Sequence, residues 1–258
     1  MKKIDKSCPP NTLTQFYASN PAASWDDFRH HLQGDSYDKL KELIFHDQGG
    51  LCGYCEDSII HLDKTKRRVE HFHDKSDKDL TITNWGLDWD NVFGVCLGGS
   101  DRGADYLLPK NLSCDSHKER YLKTEDPLGI YINPLEMPSS LIFDLNKSNG
   151  FLLPNVKVCQ DLEAYIPNNY DNFYDLVDNT IKVLNLNCDR LAKQRLEILY
   201  EYNRIIAKAR QQGNREIFQQ LTERWFHKKW PSFFTVRRCL LGEIAEQYLA
   251  ENGYSGLN

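Results

Sequence analysis

The chain has 258 residues, of which 40% are hydrophobic and 27% charged, so it is long enough for a sizeable core and falls in the range of ordinary globular proteins. Its net charge of −5 argues against coating nucleic acid by bulk electrostatics, and no apolar run approaches the length of a membrane-crossing helix. The basic opening "MKKIDKSCPPNTL" is followed by no apolar stretch, so no secretory leader is expected and the expected location is the cytoplasm.

In chain order, residues 1–20 read as extended and punctuated by proline. "SWDDFRHHLQ" then starts a helix, with Ser24 as its cap and acids in the first turn. "SYDKLKELIFHDQGG" sets Tyr37, Leu40, Leu43 and Ile44 on one helical face and stops at Gly49-Gly50. Residues 51–125 break the pattern. They are rich in Cys, His and Trp, interrupted by Gly and Asp, and show no long period. So small a core needs a staple, and a metal ion would supply one. Here "RRVEHFHD" alternates as a short strand, and "CLGGSDRGADYLLPKNLSC" reads as a loop.

Residues 126–168 contain Pro127, Pro134, Pro138, Pro154 and Pro167 and the runs "SLIFDL" and "FLLPNVKV", which read as extended. From about residue 171 the chain turns helical. Leu191, Ile198, Tyr202, Ile205 and Ala209 recur at helical spacing between a cap at Asp189 and a stop at Gly213. "TVRRCLLGEIAEQYLAENG" predicts one more helix, and "RWFHKKWPSFF" reads as an aromatic anchor for the core rather than a base-stacking platform. Between Arg190 and Arg238, 12 Lys and Arg stand against 4 Asp and Glu. That local excess fits either a phosphate-binding surface or a solvated helix face. The expected division is an N-terminal helical arm (1–48), a metal-stapled core (49–125), an extended connecting segment (126–168) and a helical C-terminal region (169–258).

There are eight cysteines. In a reducing compartment they are free thiols or metal ligands. Cys8, Cys159, Cys188 and Cys239 are scattered singly and read as ordinary buried thiols. Cys52-Gly53-Tyr54-Cys55 brings two sulfurs onto one tight turn, within reach of one ion. A redox pair of the same spacing would sit in a βαβ frame that is missing here. A closed zinc site needs two more ligands. Cys96 and Cys114, with seventeen residues between them, form one candidate pair. His71 and His73, on one face of the strand, form another. Spacing alone leaves both sets open.

The order "CGYC", "VEHFHDKS", "LDWDNVFGVC", "CDSHK" resembles the HNH endonucleases, and more narrowly the PtuB-like HNH proteins of Septu-type antiphage systems, some of which accompany retrons. "IDKSCPPNTLTQFYA", "IYINPLEMPSSLIFDLNKSNGFLLPN" and "TIKVLNLNCDRLAKQR" extend the likeness over most of the chain. The resemblance implies an α+β fold: a ββα-metal (HNH) nuclease core over residues 49–125, flanked by N-terminal helices and a mostly α-helical C-terminal region. It implies His71 as general base, Glu70 as a ligand of the catalytic metal, and Asn91 as the residue that steadies the base-bearing loop. Asp115 stands at the last metal-ligand position, where the family often has Asn or His, and His117 is near enough in sequence to take that role. Lys118 would contact phosphate. His73, read from the residues alone, either touches phosphate or simply faces solvent, the second reading being the ordinary one. Cys52, Cys55, Cys96 and Cys114 would hold structural Zn²⁺, although "LGGSDRGADYLLPKNLS" splits a second pair that is usually close.

The chemistry fits the residue types. A divalent cation such as Mg²⁺ offsets the charge of an attacked phosphodiester and asks for only a few protein oxygens. A neutral histidine takes the proton of the attacking water. Neighbouring strand residues point opposite ways, so Glu70 and His71 serve one centre only at an irregular strand end. The implied partners are DNA, a PtuA-like ATPase and, in a retron setting, a reverse transcriptase and its DNA, with no membrane. The alternative is a non-catalytic zinc adaptor that recognises nucleic acid or the ATPase, for which the cysteines alone would suffice.

Overall fold

The computed structural model describes residues 1–60, 63–76, 83–122, 126–162, 166–228 and 230–254. Among the described residues, helices mix with two small antiparallel sheets. In the first half, α1 (Asn11–Ser19), α2 (Trp25–His30) and α3 (Asp35–Asp47) precede β1 (Arg68–His71), β2 (Val92–Val95) and α4 (Cys114–Leu122). In the second half, β3 (Phe143–Asn146) and β4 (Phe151–Pro154) lead into α5 (Val156–Asp161), α6 (Phe173–Val183), α7 (Asp189–Gln211), α8 (Ile217–Phe226), α9 (Phe234–Leu241) and α10 (Glu243–Glu251). Residues 123–125, where the expected boundary of the stapled core falls, lie outside the described residues.

The expected elements recur with four corrections. Residues 11–19 are helical, not extended: Pro10 ends the extended run, and Leu13 and Phe16, one turn apart, are buried. Val156–Asp161 is a helix inside the stretch that reads as extended, started by the Asn155 side chain, which accepts from the Val158 amide. Cys188, not Asp189, precedes α7. The last predicted helix is two, because Gly242 at φ 58° and ψ −137° breaks it. Ser24 behaves as expected, closing a capping box with Asp27.

Two apolar clusters hold the protein together. The larger joins Phe45, Tyr54, Phe93 and the cysteines to the helices of the second half. The smaller gathers Leu13, Phe16, Trp25, Phe28, Leu40, Ile44, Leu87, Trp89 and Val92 under the N-terminal helices. α3 packs on β2, and this contact explains Gly94: a Cβ there would lie 2.4 Å from the Phe45 ring. Gln48, at the end of α3, donates to the Gly94 and Leu51 carbonyls, both at 2.9 Å, and so fixes the strand to the turn before Cys52. The pairs Arg68–Val95, Val69–Gly94, Glu70–Phe93 and His71–Val92 set the register of β1 on β2.

The aromatic run near the C-terminus is a core anchor, as expected: Trp225, Phe226, Phe233 and Phe234 are all buried. The basic stretch fits neither expected reading at three of its arginines, because Arg190, Arg195 and Arg238 are buried. Of the four scattered cysteines, Cys159 and Cys188 are buried and Cys239 half-buried, whereas Cys8 is exposed.

Candidate active site

The turn after α3, the end of β2 and the start of α4 meet at four sulfurs. Cys52, Cys55, Cys96 and Cys114 are all buried, and their ligand atoms lie within 4.8 Å of one another. The Sγ–Sγ distances are 3.9 Å for Cys52–Cys114 and 3.8 Å for both Cys55–Cys96 and Cys96–Cys114. Zinc–sulfur bonds of about 2.3 Å at tetrahedral angles would place sulfurs about 3.8 Å apart, so the donor set fits Zn²⁺. Amides point at the sulfurs as well: Cys96 N–H donates to Cys52 Sγ at 3.3 Å and Gly98 N–H to Cys96 Sγ at 3.2 Å. The loop between Cys96 and Cys114 returns to its start, closed by Ser113 N–H on the Gly98 carbonyl at 2.9 Å. Of the two ligand sets that spacing leaves open, the four-cysteine set is the one the structure brings together.

Next to this centre opens a cleft of about 1110 Å³, lined by Glu70, His71, His73, Asp115, Lys118 and Tyr131 among others. β1 supplies Glu70 and His71, both under 10% exposed. Glu70 turns toward α4, where Lys118 pairs with it and also lies 3.6 Å from Asp115 Oδ1. Tyr54 donates a long 3.5 Å hydrogen bond to Glu70, and its hydroxyl lies 3.4 Å from that of Tyr131. Burial pushes the Glu70 carboxyl up to about 8, with Lys118 opposing and Asp115 reinforcing the rise. Burial lowers the Lys118 ammonium, but Glu70, Tyr131 and Asp115 outweigh it and keep the group above the usual lysine range. Two carboxyl groups thus converge on one cationic point. Their oxygens would suit a hard divalent ion.

His71, the last residue of β1, turns its ring toward Trp25 while still lining the cleft. Its ring stands edge-on to Trp25, with centroids 4.6 Å apart, and its Nε2 lies 3.2 Å from the Gly86 carbonyl. A carbonyl only accepts, so Nε2 carries the proton and Nδ1 keeps the free lone pair. Burial lowers His71 to about 3, so it is neutral throughout the physiological range. An imidazole this dry is a weak base in the free protein. An anionic phosphodiester in the cleft would stabilise the imidazolium and raise it.

Asn91 does not enter the cleft. It is 1% exposed and clamps backbone: its Oδ1 accepts from His73 N–H at 2.7 Å, and its Nδ2 donates to the carbonyls of His73 at 3.0 Å and Trp85 at 2.8 Å. With Phe72 N–H on the Asn91 carbonyl at 2.9 Å, these bonds fix the chain leaving β1 against the segment that carries Gly86. His73 lines the cleft with its ring stacked on Trp85, centroids 4.1 Å apart, and its Nδ1 3.5 Å from Asp126.

His117 stands apart from the other expected residues. On α4, Asp115, Lys118, Glu119 and Leu122 face the cleft, one helical turn after another, whereas His117, Arg120 and Tyr121 line a separate hollow with Lys110. His117 Nδ1 is engaged by the Val183 carbonyl at 2.8 Å. The role of alternative metal ligand is therefore corrected: helical phase turns His117 away, and Asp115 is the one that shares the cleft with Glu70. Lys118, expected on phosphate, is engaged by the carboxylates instead.

Sequence reasoning misses the walls. Trp25 and Arg29 of α2 and Tyr37 and Lys41 of α3 line the cleft, so the N-terminal arm is part of the site. Both pairs stand at i, i+4, the one signal that could have put each on a single face. Arg67, Arg68 and Lys75 complete a basic rim, and Asp126, Leu128 and Tyr131 close the far side.

No protein-family model matches the chain. Its sequence is 36% identical over 247 residues to an Escherichia coli protein named "Retron Ec83 putative HNH endonuclease", an alignment that covers 93% of each protein. At that identity over nearly the whole length, the chain belongs to the retron-associated HNH endonuclease family and is a nuclease.

Proposed function

We propose that this member of the retron-associated HNH endonucleases cuts DNA phosphodiester bonds with the residues of the Glu70–His71 cleft. The β1–β2 ribbon and α4 then form a ββα-metal core, with the four cysteines as its structural Zn²⁺ site and Glu70 and Asp115 holding a catalytic Mg²⁺ or similar ion. When bound, that ion supplies charge stabilisation for the attacked phosphate and the departing oxygen. His71 Nδ1 takes the proton from the attacking water, while the Gly86 carbonyl holds its tautomer and Trp25 its ring. Asn91 positions this segment without touching substrate. Lys118 holds the two carboxylates together, and the basic rim draws the DNA backbone toward them.

The observation that carries this reading is the convergence of Glu70 and Asp115 on one cationic point, in a cleft that also holds a neutral histidine of fixed tautomer. A zinc adaptor would need the thiolates alone. The proposed setting is antiphage defence in the cytoplasm, as a Septu-type nuclease alongside a PtuA-like ATPase and a retron reverse transcriptase with its DNA. The test is cleavage of plasmid by purified protein with Mg²⁺, alone and with the neighbouring ATPase. Loss of nicking in Glu70→Gln and His71→Ala, with folding kept, is the expected result. Equal nicking by wild type and both variants would remove the assignment.

A further inference from the structure

α7 starts beside the four-cysteine centre and carries Arg190 and Arg195, which are 6% and 1% exposed. A buried guanidinium that lacks a counter-charge is strongly unfavourable. The third buried arginine, Arg238, has one, because Glu246 pairs with it at 2.5 Å. Among the described residues, Arg190 and Arg195 bond only to uncharged groups. Arg190 donates to Ser113 Oγ at 2.7 Å. Arg195 donates to the carbonyls of Leu186 at 2.6 Å and Gly150 at 3.2 Å, and to Asn187 Oδ1 at 3.4 Å. Arg190 Nε is buried with no acceptor at all. Asp57, Asp101 and Glu197 line the same small hollow as Arg190 and Cys96, yet among the described residues none lies within ion-pair distance of the guanidinium: Asp57 meets Gln194 at 3.4 Å and Asp101 pairs with Lys66.

The missing charge lies in the sulfurs. Ser113 Oγ, which accepts from Arg190, is itself 3.5 Å from Cys114 Sγ, so a single hydroxyl separates the guanidinium from a ligand atom. Burial pulls the Arg190 guanidinium down, but Cys55, Cys188, Cys114 and Cys96 more than offset it. A divalent ion bound by four thiolates carries a net charge of −2. The Arg190 guanidinium offsets half of it.

We propose that Arg190 is a buried counter-charge of the four-cysteine metal centre, acting through the Ser113 hydroxyl on Cys114. Part of the basic excess of α7 thus serves charge balance within the protein at this position. The inference rests on the reading of the four cysteines as a zinc site. Groups just outside the ligand shell typically change metal affinity by about 10–100-fold when removed.

The test replaces Arg190 in the full chain with neutral Gln, neutral Met or charged Lys. It measures bound zinc and the rate at which a chromophoric chelator strips it. Zinc is expected to leave Arg190→Gln and Arg190→Met about 10–100-fold faster than wild type, with Arg190→Lys close to wild type. Neutral variants that are insoluble while Arg190→Lys is soluble and zinc-loaded support the proposal equally. If all three hold zinc like wild type, or all three lose it alike, charge is not the operative property and the proposal falls. Wild-type protein without zinc would overturn the reading of the centre itself, an outcome distinct from the other two.

Discussion

The four-cysteine centre and the neighbouring cleft share α4, yet they are opposite kinds of site. At the first, every donor is a soft sulfur, every ligand is buried, and the fit to four-coordinate zinc leaves no open position. At the second, the donors are hard carboxylate oxygens, one wall is open, and a cation already sits between them in the form of Lys118. α4 thus serves both sites: Cys114 at its start joins the sulfurs, and Asp115 and Lys118 face the cleft. The end near Cys96 and Cys114 is closed and dry, and the face of Glu70 and Asp115 meets the cleft.

The largest effect expected to test this contrast is at the thiolates. Cys52→Ser removes a ligand whose metal contributes about 10–16 kcal/mol of apparent binding energy in small zinc domains, more than the about 5 kcal/mol at the lower end of folding stabilities. Zinc content and soluble yield should fall together. A soluble, zinc-free variant that still cleaves DNA would dissolve the distinction. His71→Ala, on the other side, should keep zinc and thermal stability near wild type while cleavage drops by about 10²–10⁴-fold, the range for a lost general base. An unchanged rate would sever the cleft from the chemistry.

Asn91→Ala probes the join between the two regions. It breaks three hydrogen bonds and leaves buried backbone groups unpaired, at about 1–3 kcal/mol for each group left unsatisfied. Denaturant midpoint and cleavage should both decline with zinc retained; a variant altered in zinc alone would contradict the positioning role. The smallest effect expected concerns pH. His71 is held at about 3 in the folded protein against an ordinary 6.5, so as pH falls the unfolded chain takes up its proton first. Its contribution is complete above about pH 6.5 and is lost progressively from there toward pH 3. His71→Gln should therefore show a shallower loss of urea midpoint between pH 7.5 and 5 than wild type. Parallel curves would mean that His71 is wetter than its burial indicates.

The two regions also differ in how far they are legible in sequence. Cys52 and Cys55 announce themselves because two ligands on one turn is a local pattern. Cys96 and Cys114 follow by completing a count of four, although a seventeen-residue loop hides their proximity. Glu70, His71, Asn91 and Asp115 are visible through a family's order of residues, since no periodicity marks them. His117 misleads because helical phase, not nearness in sequence, decides which residues of α4 face the cleft. Trp25, Tyr54 and Tyr131 are unreadable as site residues: each looks like any other buried aromatic until tertiary packing sets it beside His71 or Glu70. The same holds for Arg190 and Arg195, whose charges suggest a surface and whose burial shows an interior.

The amide of Cys114, at the first residue of α4, donates to the carbonyl of Leu184 at 2.8 Å. That bond has a consequence in time. A chain leaves the ribosome N-terminus first, and the helix bearing Asp115 and Lys118 gains its anchor only after seventy further residues have been made. A prematurely ended product that stops before residue 184 would carry every expected catalytic side chain and lack the support that aims two of them. The distance between those two residues therefore sets how late in synthesis this support for α4 arrives.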